Sequence, residues 1–347
     1  MKTYILLFLL ACQSIVALAQ DNKTPYLTKS LSGDAIQHVF VNTSGGSITV
    51  SGGSDQPRVE VYVTNNMGIA PSNEEIKKRL AEDYELNISV NGGELHAVAK
   101  NRHNGDWNWK RSLNIAFKVY VPRNVATDLE TSGGSIHLDN LTGEERFSTS
   151  GGSLHINQLA GNIHGRTSGG SIQVSNSGDN IDLQTSGGSI HADNCKGTIK
   201  LETSGGSLHL NELSGKIDAT TSGGSIQANH IKGDLRTGTS GGSVNLSDMA
   251  CSLDTYTSGG SIHVEMTQLG KFVKIDASSG HVDLSLPNKG LDLNKGLDLN
   301  LHGNRVSADL GGSFNGTKDK DRIEGKLNGG GVPVDVNGGG HVTLTLN

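Results

Sequence analysis

Aromatic side chains are scarce in this chain: Phe, Trp and Tyr together make 4% of 347 residues, and only two are tryptophan. That composition does not build a domain packed around large rings. It suits thin layers filled by Ile, Leu, Val and Ala. Runs of one charge are missing as well. The 29 Lys and Arg are interspersed with 35 Asp and Glu, for a formal charge of -6. No basic stripe is offered to phosphates, which excludes nucleic acid as a partner. Past the amino-terminal segment, no stretch approaches the ~20 apolar residues of a spanning helix, so an integral membrane protein is not expected.

Catalytic signatures are also lacking. No Gly-Lys-(Ser/Thr) follows the glycine pairs at phosphate-loop distance, and there is no Gly-x-Ser-x-Gly elbow or His-Glu-x-x-His helix. The Gly-x-Gly-x-Asp spacing of calcium-binding nonapeptides is absent. No catalytic residue, cofactor or metal ligand set is therefore assigned, and the chain is expected not to be an enzyme.

Glycine is plentiful, with 48 residues, and its placement is periodic. Thr-Ser-Gly-Gly-Ser-(Ile/Leu/Val) recurs at an unbroken 18-residue spacing from Thr131, Thr149, Thr167, Thr185, Thr203, Thr221, Thr239 and Thr257. An earlier copy begins at Thr43 and a degenerate one at Ala277. A fixed period of this length means stacked coils. With Thr as position one, position six is always aliphatic (Ile136 to Ile262) and position eight always apolar (Leu138 to Val264), with a polar residue between. That alternation marks a short strand with one buried face. Position eleven (Leu141, Leu159, Leu213) and position fifteen (Ile163, Ile181, Ile199) are further inward positions. Aliphatics at six, eight, eleven and fifteen do not fit a hexapeptide left-handed helix. The Gly-Gly pair is expected at a corner demanding backbone angles closed to other residues. Thr and Ser are expected to form hydroxyl ladders along the axis.

The expected fold is all-β: a parallel β-solenoid (β-helix-like) of 18-residue coils with a β-rich amino-terminal cap containing one short helix. Residues 1–19 read as a signal peptide, with Lys2, an apolar run over 4–10 and Ala17-Leu18-Ala19 before Gln20. The rival is a lipoprotein signal with Cys12 acylated. Residues 20–125 read as the cap, with strands near 36–41, 59–63, 86–90 and 113–121. The helix falls near 72–84, where Ser72 and Glu75 make a capping box and Ile76, Leu80 and Tyr84 share one face. Residues 126–276 are the repeat solenoid. Residues 277–347 are its closing end, including the tandem Asn288-Lys-Gly-Leu-Asp-Leu and two Asn-Gly-Gly-Gly segments read as decayed repeats. Cys195 and Cys251 lie three coils apart, about 14 Å by strand spacing, and are expected to be free, buried thiols because a disulfide needs Cα atoms within ~7 Å.

The reiterated Thr-Ser-Gly-Gly-Ser-Ile units, the Val121-Pro122-Arg123-Asn124 stretch before them and the closing Leu327-Asn328-Gly329-Gly330-Gly331 resemble the bacterial putative-adhesin family of β-strand-repeat envelope proteins. Its domain has no established biochemical activity. The resemblance covers most of the chain after residue 19. It implies a secreted, non-enzymatic protein of the periplasm or cell surface, serving as a binding or structural module for a polysaccharide or another envelope protein.

Two sets of residues are candidates for ligand binding. Trp107 and Trp109 share one face of a strand, as an aromatic platform does, or else cover the open end of the first coil. His137, His155, His191, His209 and His263 occupy position seven on the outer face. Adjacent pairs are close enough to share a metal, but Gln173, Gln227 and Asn245 interrupt the row, which favours a solvated polar ladder. A metal- or ice-interacting array is the alternative function, and a polysaccharide-active β-helix enzyme a weaker one.

Overall fold

The computed structural model describes residues 24–102, 111–287, 296–311 and 313–347. Each coil contributes two strands. The short one covers positions six to nine, as in Ile136–Asp139, Leu154–Asn157 and Ile172–Ser175. The long one runs from position twelve to the Thr of the next coil, as in Thr142–Thr149, Ala160–Thr167 and Gly178–Thr185. Each strand pairs in parallel with its equivalent one coil away, as Ile136 faces Leu154 and Leu154 faces Ile172; the register shifts where Val244–Thr257 meets Ile262–Ala277. The expected parallel solenoid is what forms. From Val244–Thr257 onward the two strands of a coil fuse into one continuous strand.

The interior is filled by positions six, eight, eleven and fifteen, as their residue types require, and also by positions seventeen and one. Position seventeen varies from Phe147 through Gly165 to Leu183, all buried. The variation is compensated in space. A Cβ on Gly165 would lie 2.3 Å from the Phe147 ring, so the large residue fills the space of the missing side chain one coil above.

The coils are not held at the Gly-Gly corner by unusual backbone angles. No glycine of these pairs has a positive φ. Close approach explains them instead. A Cβ on Gly152 would sit 1.9 Å from the carbonyl oxygen of Gly134, and one on Gly170 1.9 Å from that of Gly152. The buried Thr at position one uses the same contact. Thr149 Oγ1 donates to the Gly134 carbonyl (2.8 Å) and accepts from the Gly152 N–H (3.2 Å), and each following coil repeats this. The Thr ladder is thus an internal relay through glycine. The Ser at position five links coils more simply, with the Ser153 N–H donating to Ser135 Oγ.

The left-handed turn lies at position ten. Asn140, Gln158, Asn176, Asn194, Glu212, His230 and Asp248 have φ between 49° and 57° in seven successive coils. Asn, Asp and His among these tolerate that region more readily than Gln and Glu.

The amino-terminal end is closed by antiparallel pairing. The segment from Thr43 already forms a coil, since His38–Thr43 and Ile48–Ser51 pair in parallel with Ala126–Thr131 and Ile136–Asp139. A further layer, Glu94–Asn101 and Leu113–Tyr120, pairs in parallel beneath it. Below that the direction reverses, as Tyr84–Asn91 and Arg58–Asn65 are antiparallel to those two strands. The helix Asn73–Asp83 begins where Ser72 Oγ accepts from the Glu75 N–H. It buries Ile76 and Leu80, although Glu75 pairs with Arg79 rather than reaching back to Ser72. Tyr84 follows as a buried residue whose hydroxyl accepts from the Leu113 N–H at 2.8 Å.

The other end is closed by reordering. Gly331–Leu346 pairs in parallel with Ile262–Ala277 and Val282–Leu286 on one side and with Gly296–Ala308 on the other. Arg322–Leu327 and Phe314–Lys318 then stack antiparallel outside Gly296–Ala308. Gly338–His341 lie directly on the degenerate corner at Ala277–His281, with His341 stacked on His281 at 5.1 Å. Asn337-Gly-Gly-Gly is therefore a repeat corner. Asn328-Gly-Gly-Gly is not: Asn328, Gly329 and Gly330, all at positive φ, form the turn around the start of Gly296–Ala308. The second copy of the tandem duplication supplies that strand, Gly296-Leu297-Asp298-Leu299; the first lies outside the described residues.

On the outer face of the long strands, position sixteen alternates in charge. Paired neighbours run Asp182, Lys200, Asp218, Arg236, Asp254, Lys274 and Asp335.

Candidate functional site

The expected histidines stand where the period puts them. His137 and His155 stack with ring centroids 4.5 Å apart and planes 9° from parallel, and His191 and His209 do so at 4.6 Å and 8°. His155 Nδ1 lies 2.9 Å from Gln173 Oε1, so the interrupting Gln caps the pair. His263 stands apart, 3.8 Å from Glu265. Burial first, then the neighbouring imidazole, holds His137 and His191 below the usual histidine range. A parallel column follows at position nine, where Asn157 donates to Asp139 (2.7 Å) and Asn211 to Asp193 (2.6 Å). The His-His-Gln and Asp-Asn arrangement thus occurs twice, 54 residues apart. Among the described residues no three His, Cys, Asp or Glu converge as metal ligands. Trp107 and Trp109, and the segment read as a signal peptide including Cys12, lie outside the described residues.

The Thr column offers no hydroxyl array to solvent. It is buried, because each hydroxyl is needed between the glycine carbonyl below and its own glycine N–H. Cys195 and Cys251 are free and buried, and burial pushes their thiols up to about 11 and about 12.

A second polar surface follows the left-handed turns. Along it lies a cavity of about 660 Å³ that spans several coils and has Ser177, Gly178 and Cys195 among its lining residues. Here the repeat is broken. Ser177 stands at position eleven where coils one, two, five and six have Leu or Ile, and Asp179 replaces the glycine that coils one, two, four, five and six carry at position thirteen. The break was legible in the sequence, by comparing each coil with its neighbours instead of seeking what they share.

Residues 234–339 match the Toastrack DUF4097 family. No curated protein matches the chain. Two solved structures are similar. One is a putative cell adhesion protein from Clostridium sporogenes ATCC 15579, at 10% identity and TM-score 0.20, covering 92% of this chain and 98% of that one. The other is a putative adhesin from Bacteroides fragilis NCTC 9343, at 10% identity and TM-score 0.34, covering 74% and 95%. At that identity and those scores they add no functional detail. With its repeats stacked as parallel coils and this match over residues 234–339, the chain resembles the uncharacterised putative-adhesin family of β-strand-repeat proteins.

Proposed function

We propose that this protein is a non-enzymatic, adhesin-like module, exported across the inner membrane to the periplasm or cell surface, that binds a polysaccharide or another envelope protein. The observation that supports this reading is the set of polar columns, at coil spacing, along a rod whose two ends both finish in antiparallel strands. Near-identical coils repeat the same hydrogen-bonding groups along the axis, which favours extended, repetitive partners. A small-molecule reaction centre would instead need several different titratable groups converging on one point.

The test is binding of the purified chain to a glycan array and to immobilised envelope proteins. Saturable binding to either is expected, and binding to neither overturns the reading. A Trp107→Ala/Trp109→Ala variant, melted and assayed in parallel, assigns the tryptophans. Loss of stability makes them cap residues, and loss of glycan binding at unchanged stability makes them ligand contacts. Mass spectrometry of the exported protein separates cleavage before Gln20 from acylation at Cys12.

A further inference from the structure

Coil three departs from its neighbours at three consecutive positions. Positions eleven to thirteen read Leu159-Ala160-Gly161 in coil two and Cys195-Lys196-Gly197 in coil four, but Ser177-Gly178-Asp179 between them. Two of the changes, Ser177 and Asp179, work against the local fold. Ser177 is 3% exposed and puts a hydroxyl where coils one, two, five and six bury Leu or Ile; it is satisfied by donating to the Ser175 carbonyl (2.8 Å) and accepting from the Leu159 N–H (3.1 Å). Asp179 takes a positive φ of 74°, where Gly161, Gly197, Gly215 and Gly233 stand at 108° to 121°. A Cβ on those glycines would lie 2.1 to 2.2 Å from a backbone oxygen one coil below, so the Asp179 backbone has moved aside to admit its side chain. Asp179 is exposed, and Oδ2 accepts from the Gly161 N–H at 2.9 Å.

The combined effect is to place small, buried side chains behind the column of turn residues. Ser177, Gly178 and Cys195, all buried, lie behind the 660 Å³ cavity, and exposed Gln158, Asn176 and Asn194 rim it along the axis, with Asn194 Nδ2 donating to Asn176 Oδ1 (2.8 Å) and Asn176 Nδ2 to Asn157 Oδ1 (2.9 Å). The charges around it are balanced, with Arg123 and Lys196 against Asp179 and Glu212. An anion would face both carboxylates, a cation both basic groups, and an apolar ligand no aromatic surface. Amides and carboxylates together donate and accept at successive points, as rows of sugar hydroxyls require.

We propose that this cavity is the rod's ligand-binding site and that it takes a neutral polysaccharide laid parallel to the axis. The proposal rests on the binding-module reading above and names its site and ligand class.

The test restores the repeat. A Ser177→Leu/Asp179→Gly variant returns coil three to its neighbours' pattern, placing an aliphatic behind the cavity and removing the carboxylate. Its melting temperature is expected to rise, while affinity for neutral polysaccharides on an array falls at least tenfold. An Asp179→Asn/Lys196→Ala variant, altered only on the surface, gives the same readout should the first fail to fold. Wild type and both variants binding a neutral polysaccharide equally would overturn the site and leave the module reading standing. Binding by wild type to charged polysaccharides alone would overturn the ligand class. No polysaccharide binding at all overturns the proposal, and only binding to envelope protein would then preserve the broader reading.

Discussion

The Thr127 hydroxyl donates to the Glu145 carboxyl at 2.5 Å, one coil apart, and neither residue is more than 1% exposed. Glu145 occupies position fifteen, where later coils have Ile163, Ile181 and Ile199. Its Oε1 has no hydrogen-bond partner.

Burial raises the Glu145 pKa from 4.5 to about 7, with the Thr127 hydrogen bond opposing weakly. Between those values the unfolded chain has lost the proton that the folded one keeps, so stability falls as pH rises from 4.5 to 7 and then levels off. The cost at pH 8 is on the order of 3 kcal/mol. Urea unfolding of wild type and Glu145→Gln checks this. The variant is expected to gain on wild type between pH 5 and pH 8, and a constant gap would contradict it.

The histidine pairs act in the opposite sense. With His137 and His191 held below 6.5, the unfolded chain protonates first as the pH falls, so their contribution is lost below about 6.5. Gln occupies the same column at Gln173 and Gln227. Replacing His137, His155, His191 and His209 by Gln is expected to leave the fold intact and to remove this acid-side loss from the melting temperature. An unchanged acid profile would show that the pairs carry no such linkage.

The two glycines of a corner are not equivalent. A Cβ on Gly170 meets the Gly152 oxygen at 1.9 Å, whereas one on Gly169 finds nothing nearer than 3.6 Å. Gly170→Ala is expected to destabilise by on the order of 3 kcal/mol, and Gly169→Ala to stay within about 0.5 kcal/mol of wild type. Denaturant midpoints of the two variants decide it; equal losses would mean that the corner needs glycine for its angles after all.

The alternating column at position sixteen bears on which coil finds which. If one coil were skipped, Asp182 would face Asp218, Lys200 would face Arg236, and Asp218 would face Asp254. Exposed pairs are each worth less than about 1 kcal/mol, so neutralising Asp182, Lys200, Asp218 and Arg236 to Asn or Gln is expected to change native stability little. Refolding is expected to suffer, with part of the product carrying one protease-sensitive, looped-out coil. Limited proteolysis after refolding reveals it, and uniform resistance would remove the column's role in register.

What the sequence made legible follows from which constraints act on residue type. Positions six, eight, eleven and fifteen accept little but aliphatics, so the period and both strands could be read directly. Position ten is constrained in its angle rather than its type, and Asn140, Gln158, Glu212 and His230 share no class that would reveal it. Position seventeen was hidden because Phe147 and Gly165 compensate across coils. The Thr and Gly-Gly pattern was visible, but its cause is a contact between coils that no single coil contains. The departure at Ser177–Asp179 went unread because shared positions, not differences between coils, carried the reading of the repeat.

The strand Gly331–Leu346 is an inner layer made late. Along most of the rod each new coil needs only the one before it, so assembly can follow synthesis. At this end Gly296–Ala308 and the hairpin outside it precede in sequence the layer that must come beneath them. The outer strands therefore have their layer to pair on only once Gly331–Leu346 is in place, and cutting back Gly331–Leu346 would detach them from the rod instead of shortening it by one turn.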